Sequence, residues 1–270
     1  MKLLVGCPVL HREWILPSWF AHVQRAFEHL QENNAHDWEL EFIFVGDKET
    51  DRETYDIAVF GPVAGVHWID VLDTRQRDER EWNPPRYQRM VDLRNELLFE
   101  VRDLAPDLFL SLDSDILLHP QALIEMIRVL DDEHAYENTK VAVGGKVYLS
   151  QYGVECPSWA NIGRDGSIRR SNSSGTFPVD VIMAVKLMTP AAYGVDYRFD
   201  KQGEDTGWSK AARESGVRLV WTGKVTSKHV FSRYRCGVDG HGLFRGTCPQ
   251  DPRHDQPVSG IDFRDSRVGW

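Results

Sequence analysis

The sequence predicts an α/β protein with a mixed, mainly parallel central sheet flanked by helices and an irregular C-terminal extension. Three observations carry this reading. Short apolar runs that read as buried strands occur at Lys2 to Val5, Leu40 to Val45 and Asp107 to Leu112. An amphipathic helix separates the first two, and strand, helix, strand with buried-type strands implies a right-handed parallel unit. Each run ends in a loop bearing polar side chains: Gly6 to Arg12, Gly46-Asp47, and Asp113-Ser114-Asp115.

The elements follow in order. Lys2 to Val5 is closed by Gly6-Cys7-Pro8 as a first strand. Pro17 to Glu32 carries Trp19, Phe20, Val23, Phe27 and Leu30 at spacings of three and four, a helix whose first turn tolerates Pro17. Leu40 to Val45 stops at Gly46-Asp47-Lys48. Glu49 to Pro62 is polar, and Gly65 to Val71 can supply another strand. The charged run Asp73 to Glu81 reads as an exposed loop. Pro84-Pro85 starts a helix with Met90, Leu93, Leu97 and Val101 at helical spacing, which also carries Tyr87, Arg94 and Asn95. It leads into the strand that ends at Asp113. Pro120 begins a further helix with Leu123, Met126, Ile127 and Leu130 on one face.

In the second half, Lys140 to Leu149 is strand-like, Gln151 to Gly175 reads as a hairpin or flexible loop, and Val179 to Leu187 is another strand. Arg164, Arg169 and Arg170 in that loop suit an anionic acceptor. Glu204-Asp205 precedes a short helix, Thr206 to Glu214, closed by Gly216. Val217 to Trp221 is a strand, and Lys228-His229 follows it. Beyond Arg233 the pattern is irregular. The division expected is one domain over 1–230, in two halves over 1–118 and 119–230, and an extension over 231–270.

Composition bounds the function. Hydrophobic residues at 41% and charged residues at 27% describe an ordinary globular chain. A net charge of -9 argues against a surface devoted to nucleic acid, although the last third is basic. Met1 to Leu10 meets His11-Arg12-Glu13 too soon for a signal peptide or membrane span, so the expected location is the cytoplasm. Cys7, Cys156, Cys236 and Cys248 are too scattered for a disulfide scaffold. Cys236, His241, Cys248 and His254 lack the paired short intervals of zinc modules, so ordinary thiols and surface histidines are expected.

Asp113 and Asp115 lie two apart at a strand end, where a turn can bring both carboxylates to one point and hold a hard divalent cation. The blander reading is a solvated strand end or a helix cap. The shared position of the three loops favours a site, because ligands of open parallel sheets bind outside the carboxyl ends of the strands. Pro8 and Val9 could line a nucleotide base, and Asp47 could accept hydrogen bonds from base or ribose. Arg12 and Arg94 could bind phosphate bidentately.

These pieces, with Arg94-Asn95 ahead of Asp113-Ser114-Asp115 and with Glu204-Asp205 and His229 downstream, resemble the GT-A (Rossmann-like) nucleotide-sugar glycosyltransferases, family 2 and related groups, over about Met1 to His229. The resemblance implies that Asp115, with Asp113 and His229, binds Mn2+ or Mg2+. It implies that Pro8, Val9, Arg12, Asp47, Arg94, Asp113 and Ser114 hold a UDP- or GDP-sugar. Lys48 departs from the family's small, acidic turn and leaves base identity open. The resemblance further implies sugar transfer to an acceptor hydroxyl, inverting with Asp205 as base and Glu204 as substitute. The donor would occupy 1–118 and the acceptor 119–230. There Trp208, one helical turn beyond that pair, offers an aromatic face to a sugar or base ring, with core burial as its blander reading. Saccharide, lipid-linked sugar, protein and modified nucleic-acid base are all open as acceptors. The rival readings are a nucleotidyltransferase acting on a sugar phosphate, against which the absence of a Gly-rich loop after the first strand speaks, and a non-catalytic nucleotide or carbohydrate binder.

Overall fold

The first apolar run becomes the axis of the sheet. The chain enters as β1 (Lys2–Pro8), α1 (Leu16–Asn33), β2 (Glu39–Gly46), α2 (Arg52–Phe60), β3 (Val66–Asp70), α3 (Pro84–Leu104) and β4 (Leu108–Leu112). The computed structural model describes residues 1–61, 63–71, 84–133, 140–151, 154–170 and 174–230. In it β1 is parallel to both β2 and β4, and β2 is parallel to β3. The carboxyl ends of β1, β2 and β4 therefore share one edge.

Alternation along the strands builds a core on each face. Leu3, Val5, Phe42, Phe44, Leu108 and Leu110 face α1, while Leu4, Ile43, Val45 and Phe109 face α3. Trp19 and Phe20 of α1 lock onto β2, Trp19 in tilted contacts and Phe20 edge-on, with Phe20 5.1 Å from Phe42 and 5.7 Å from Phe44. Such ring pairs add about 0.5–1.5 kcal/mol each beyond their burial. The helix predicted over Pro17 to Glu32 is thus present, one residue longer at each end.

The chain continues through β5 (Ile116–Leu117), α4 (Ala122–Asp132), β6 (Val141–Gln151), β7 (Val154–Pro157), β8 (Trp159–Ile162), β9 (Ile168–Arg169) and β10 (Thr176–Pro178). It ends with β11 (Val181–Ile182), β12 (Val185–Met188), α5 (Pro190–Tyr193), α6 (Glu204–Glu214) and β13 (Arg218–His229). The main sheet runs β10-β13-β6-β12-β4-β1-β2-β3, with β12 antiparallel to its neighbours β4 and β6. A smaller sheet orders β11-β8-β9. The architecture is the mixed, mainly parallel α/β fold that the sequence predicts.

Two expectations need correction, and two segments gain detail. Polar Glu49 to Pro62 contains α2, which starts because Asp51 caps it by accepting from the Thr54 amide at 3.4 Å. The single strand expected over Val179 to Leu187 is broken into β11 and β12 by Ala184, whose φ is 60°. The strand expected at Val217 to Trp221 runs on to His229, absorbing a register shift between Thr222 and Thr226, resuming with β6 at Thr226 and Ser227, and pairing with β5 at Lys228 and His229. Within Gln151 to Gly175 the expected hairpin is present as the antiparallel pair β8–β9, while β7 pairs antiparallel back onto β6. The charged run Asp73 to Glu81 lies outside the described residues, as do Cys236, His241, Cys248, His254 and the rest of 231–270. Among the described residues no helix is long and apolar enough to cross a membrane.

Candidate active site

The Asp113-Ser114-Asp115 motif occupies a turn between β4 and β5, closed by the Ile116 amide donating to the Asp113 carbonyl at 3.0 Å. Two other segments pin the turn. The Trp19 indole N–H donates to the Asp113 carbonyl at 3.2 Å, and the Asp113 amide donates to the Ala184 carbonyl at 3.0 Å. The buried core of α1 and the break between β11 and β12 thus fix the motif's backbone.

Its side chains then diverge to different partners. Asp115 meets Arg12, with Oδ2 3.6 Å from a terminal guanidinium nitrogen, and His229, whose Nε2 is 3.5 Å from Oδ1. Arg12 also donates from Nε to the Ser114 hydroxyl at 2.9 Å. His229 arrives because the antiparallel register sets it opposite Ile116, and the Val230 amide donates to the Asp115 carbonyl at 2.8 Å. Burial opposes ionisation of Asp115, but His229 and Arg12 outweigh it and hold the carboxyl below its ordinary value. The motif's other carboxylate, Asp113, is pushed the opposite way, first by desolvation and then by the charges of Asp205 and Asp115, despite Arg94 and Lys186.

Arg94 is the buried hub behind the motif. Its guanidinium donates to Asp113 Oδ1 at 2.7 Å and to the Ser111 hydroxyl at 3.2 Å, and its Nε lies 3.6 Å from Glu204. At 2% exposure it cannot reach out for phosphate. The phosphate role expected for Arg94 is therefore corrected: it neutralises two carboxylates inside the protein.

Glu204 and Asp205 open α6, where carboxylates are favoured by the unpaired amides of the first turn. Their environments differ. Asp205 accepts from the Lys186 ammonium through Oδ1 and from the Ala184 amide at 3.3 Å through Oδ2. Burial opposes its ionisation, yet Lys186 and Arg94 hold it below its ordinary value. Glu204 is 6% exposed, and desolvation followed by the neighbouring Asp205 charge pushes it up to about 7.

Two further expectations are corrected. Asp47 is 3% exposed and its carboxylate accepts from the amides of Glu49 and Thr50 at 3.0 and 2.9 Å and from the Thr50 hydroxyl. It shapes the turn into α2 instead of facing a base. Trp208 is fully buried, donates its indole N–H to the Val195 carbonyl at 3.2 Å and packs against Tyr197, so it is core and offers no face to an acceptor. Of the first loop, the Val9 amide extends the ladder to Val45 and its side chain is buried, while Pro8 remains partly exposed.

Two features went unread in the sequence. Lys186 is a wholly buried ammonium in an apolar strand, and that mismatch was the available signal. His11, Glu13 and Asp51 form a group whose ligand atoms lie within 4.8 Å of one another and could hold a cation. Asp51 there already serves as the α2 cap and accepts from the His11 amide.

The architecture is GT-A-like, a class of fold shared with nucleotide-diphospho-sugar transferases. No protein-family model and no curated relative matches the sequence. Among solved structures, the chain is similar to S. aureus TarS 1–349 in complex with UDP, at 14% identity and TM-score 0.52, covering 86% of this chain and 61% of that one. The same TarS fragment without that ligand aligns at 12% identity and TM-score 0.50, over 85% of this chain and 60% of that one. The chain thus spans about three fifths of the TarS fragment. An apo UDP-glucose pyrophosphorylase aligns at 10% identity and TM-score 0.45, covering 85% and 92% of the two chains.

Proposed function

We propose that the protein is a metal-dependent glycosyltransferase that moves a sugar from a nucleotide-diphosphate sugar to an acceptor hydroxyl. The observation that carries this is convergence: Arg12 from the β1 loop, Ser114 and Asp115 from the β4–β5 turn and His229 from the end of β13 meet at the carboxyl edge of the parallel strands. A second, separately held carboxylate, Asp205, stands behind them on α6. The GT-A-like fold and its likeness to UDP-bound TarS support the reading.

Asp115 and His229 fit a divalent cation, since a carboxylate oxygen and an imidazole nitrogen 3.5 Å apart can both reach an ion about 2.1 Å from each. The mixed oxygen and nitrogen set favours Mn2+ over Mg2+. When bound, the ion stabilises negative charge on the departing diphosphate. Arg12 adds a fixed positive charge at the same place. In the transfer, the acceptor oxygen bonds to the anomeric carbon while the bond from that carbon to the diphosphate oxygen breaks. The diphosphate keeps the electron pair, and the acceptor proton passes to Asp205. Asp205 suits this role better than Glu204 because its side chain retains 16% exposure against 8%.

A thermal-shift screen of nucleotide sugars with and without Mn2+ tests the proposal. Metal-dependent stabilisation by at least one of them, lost in Asp115→Asn, is expected, followed by release of nucleoside diphosphate on adding acceptors. Release of pyrophosphate from a nucleoside triphosphate and a sugar phosphate would mark nucleotidyl transfer instead. A flat screen of folded protein would refute both.

A further inference from the structure

Lys186 lies at the centre of β12 with no exposed surface, flanked in register by Ser111 of β4 and Gly144 of β6. Its Nζ sits 5.5 Å from the Tyr197 ring centre and 5.9 Å from that of Trp208. A buried ammonium is tolerated only where it is paired, and its partner is one oxygen of Asp205. The other oxygen is held by the amide of Ala184, two residues earlier on the same strand. Ala184 has φ of 60°, and the Val185 amide donates across it to the Met183 carbonyl at 2.6 Å, which defines a strained γ-turn. The carbonyl of that same alanine accepts from the Asp113 amide. One strained residue therefore connects the Asp205 carboxylate to the backbone of the Asp113-Ser114-Asp115 motif.

We propose that Lys186 is a positioning residue for sugar transfer: with the Ala184 turn it clamps both oxygens of Asp205 and sets that carboxylate at a fixed place behind the Asp113-Ser114-Asp115 turn. The geometry has few simpler uses. A β12 made only of apolar residues would pack against β4 and β6 as well, and buried ion pairs are weak contributors to stability. Strain at a non-glycine residue persists where surrounding contacts over-determine it. The charged groups facing Asp205 are Lys186 from β12, Arg94 from α3, Glu204 on α6 itself and Asp113 from the end of β4. Lys186 alone of the two cations bonds it directly.

The role rests on the transfer reading above, so the test separates the two. In Lys186→Met, affinity for nucleoside diphosphate with Mn2+ stays within about twofold, kcat falls by about 100-fold or more, and KM for the donor holds. The Asp205 carboxyl, followed by carbon NMR and assigned with Asp205→Asn, titrates about one pH unit or more higher than in the parent protein. Ala184→Gly removes the turn's strain while keeping Lys186. It is expected to fold at least as stably as the parent and yet lose about tenfold or more in kcat. If Lys186→Met fails to fold, Ala184→Gly decides. An Asp205 midpoint that does not move, or a kcat unchanged in both variants, overturns the proposal. Parent protein that binds nucleotide and transfers no sugar removes the transfer reading, and a midpoint that still moves then leaves the pair a structural contact without a positioning role.

Discussion

Replacing Glu204 with glutamine should stabilise the protein by an amount that grows as pH rises from about 4.5 to about 7. Glu204 is almost fully buried, with desolvation and the Asp205 charge raising its carboxyl from an ordinary 4.5 to about 7. The folded state therefore binds this proton more tightly than the unfolded chain. The contribution is fully present below pH 4.5, shrinks as pH rises and is gone above about 7. Each tenfold change in proton affinity is about 1.4 kcal/mol, so the ionised carboxylate costs about 3 kcal/mol relative to a neutral isostere. In a domain of this size that is roughly 6–12 °C in Tm. The comparison must be made between variant and parent, because the buried His22 slopes the other way. Burial lowers His22 from 6.5 to about 4, so its contribution is lost as pH falls through that window and offsets much of the Glu204 slope in the parent. Denaturant unfolding of Glu204→Gln and parent across pH 4 to 8 should show curves that coincide near pH 4 and separate steadily to about 3 kcal/mol near pH 8. A constant offset at all pH values would mean that Glu204 acts through packing or its Arg94 contact, and would refute the argument from ionisation.

Other outcomes follow from the same geometry. His22→Gln, which retains a donor for the Leu118 carbonyl now 3.0 Å from Nδ1, should abolish the loss of stability as pH falls from 6.5 to 4 in the same unfolding series. Trp208→Phe removes the hydrogen bond to Val195 and should lower unfolding free energy by about 1–3 kcal/mol with acceptor KM unchanged. A selective rise in acceptor KM would restore the stacking role to that indole. Asp205→Asn should keep metal-dependent nucleotide binding by calorimetry and lose transfer by about 100-fold or more, whereas intact turnover would reduce Asp205 to the opening of α6.

What could be read in advance follows from what each residue has to do. The parallel half of the sheet was legible because strands buried on both faces must be apolar throughout, as Leu3-Leu4-Val5 and Phe42-Ile43-Phe44-Val45 are. The helix over Leu16–Asn33 was legible because its buried stripe is large and aromatic. The helix at Arg52–Phe60 was not, since it buries only Thr54 and Ala58 and so carries no apolar stripe. Direction was the harder property. Asp47, Arg94 and Trp208 are residues that nucleotide and sugar sites use, and each proves to be turned inward to a backbone amide, a carboxylate or a ring. A charge written in sequence has no sign for inside and outside.

The convergence at Asp115 depends on two irregularities that carry no compositional mark. β13 pairs with β6 as far as Thr222, shifts register, resumes that pairing at Thr226 and Ser227, and then pairs with β5 so that His229 stands opposite Ile116. A regular strand over 179–187 would offer alternating side chains to the sheet, but the turn at Ala184 presents both its amide and its carbonyl to the site. Bulges and strained residues gather where pairing must end in order to aim a side chain. The Ala184 turn lies one hydrogen bond from the Asp113-Ser114-Asp115 turn, and β13 beyond its bulge delivers His229 to Asp115. Regular structure thus supplied the edge on which the motif sits, and the departures from regularity supplied its partners. Lys186 follows the Ala184 turn by two residues, and its mismatch with an apolar strand was visible in the sequence itself.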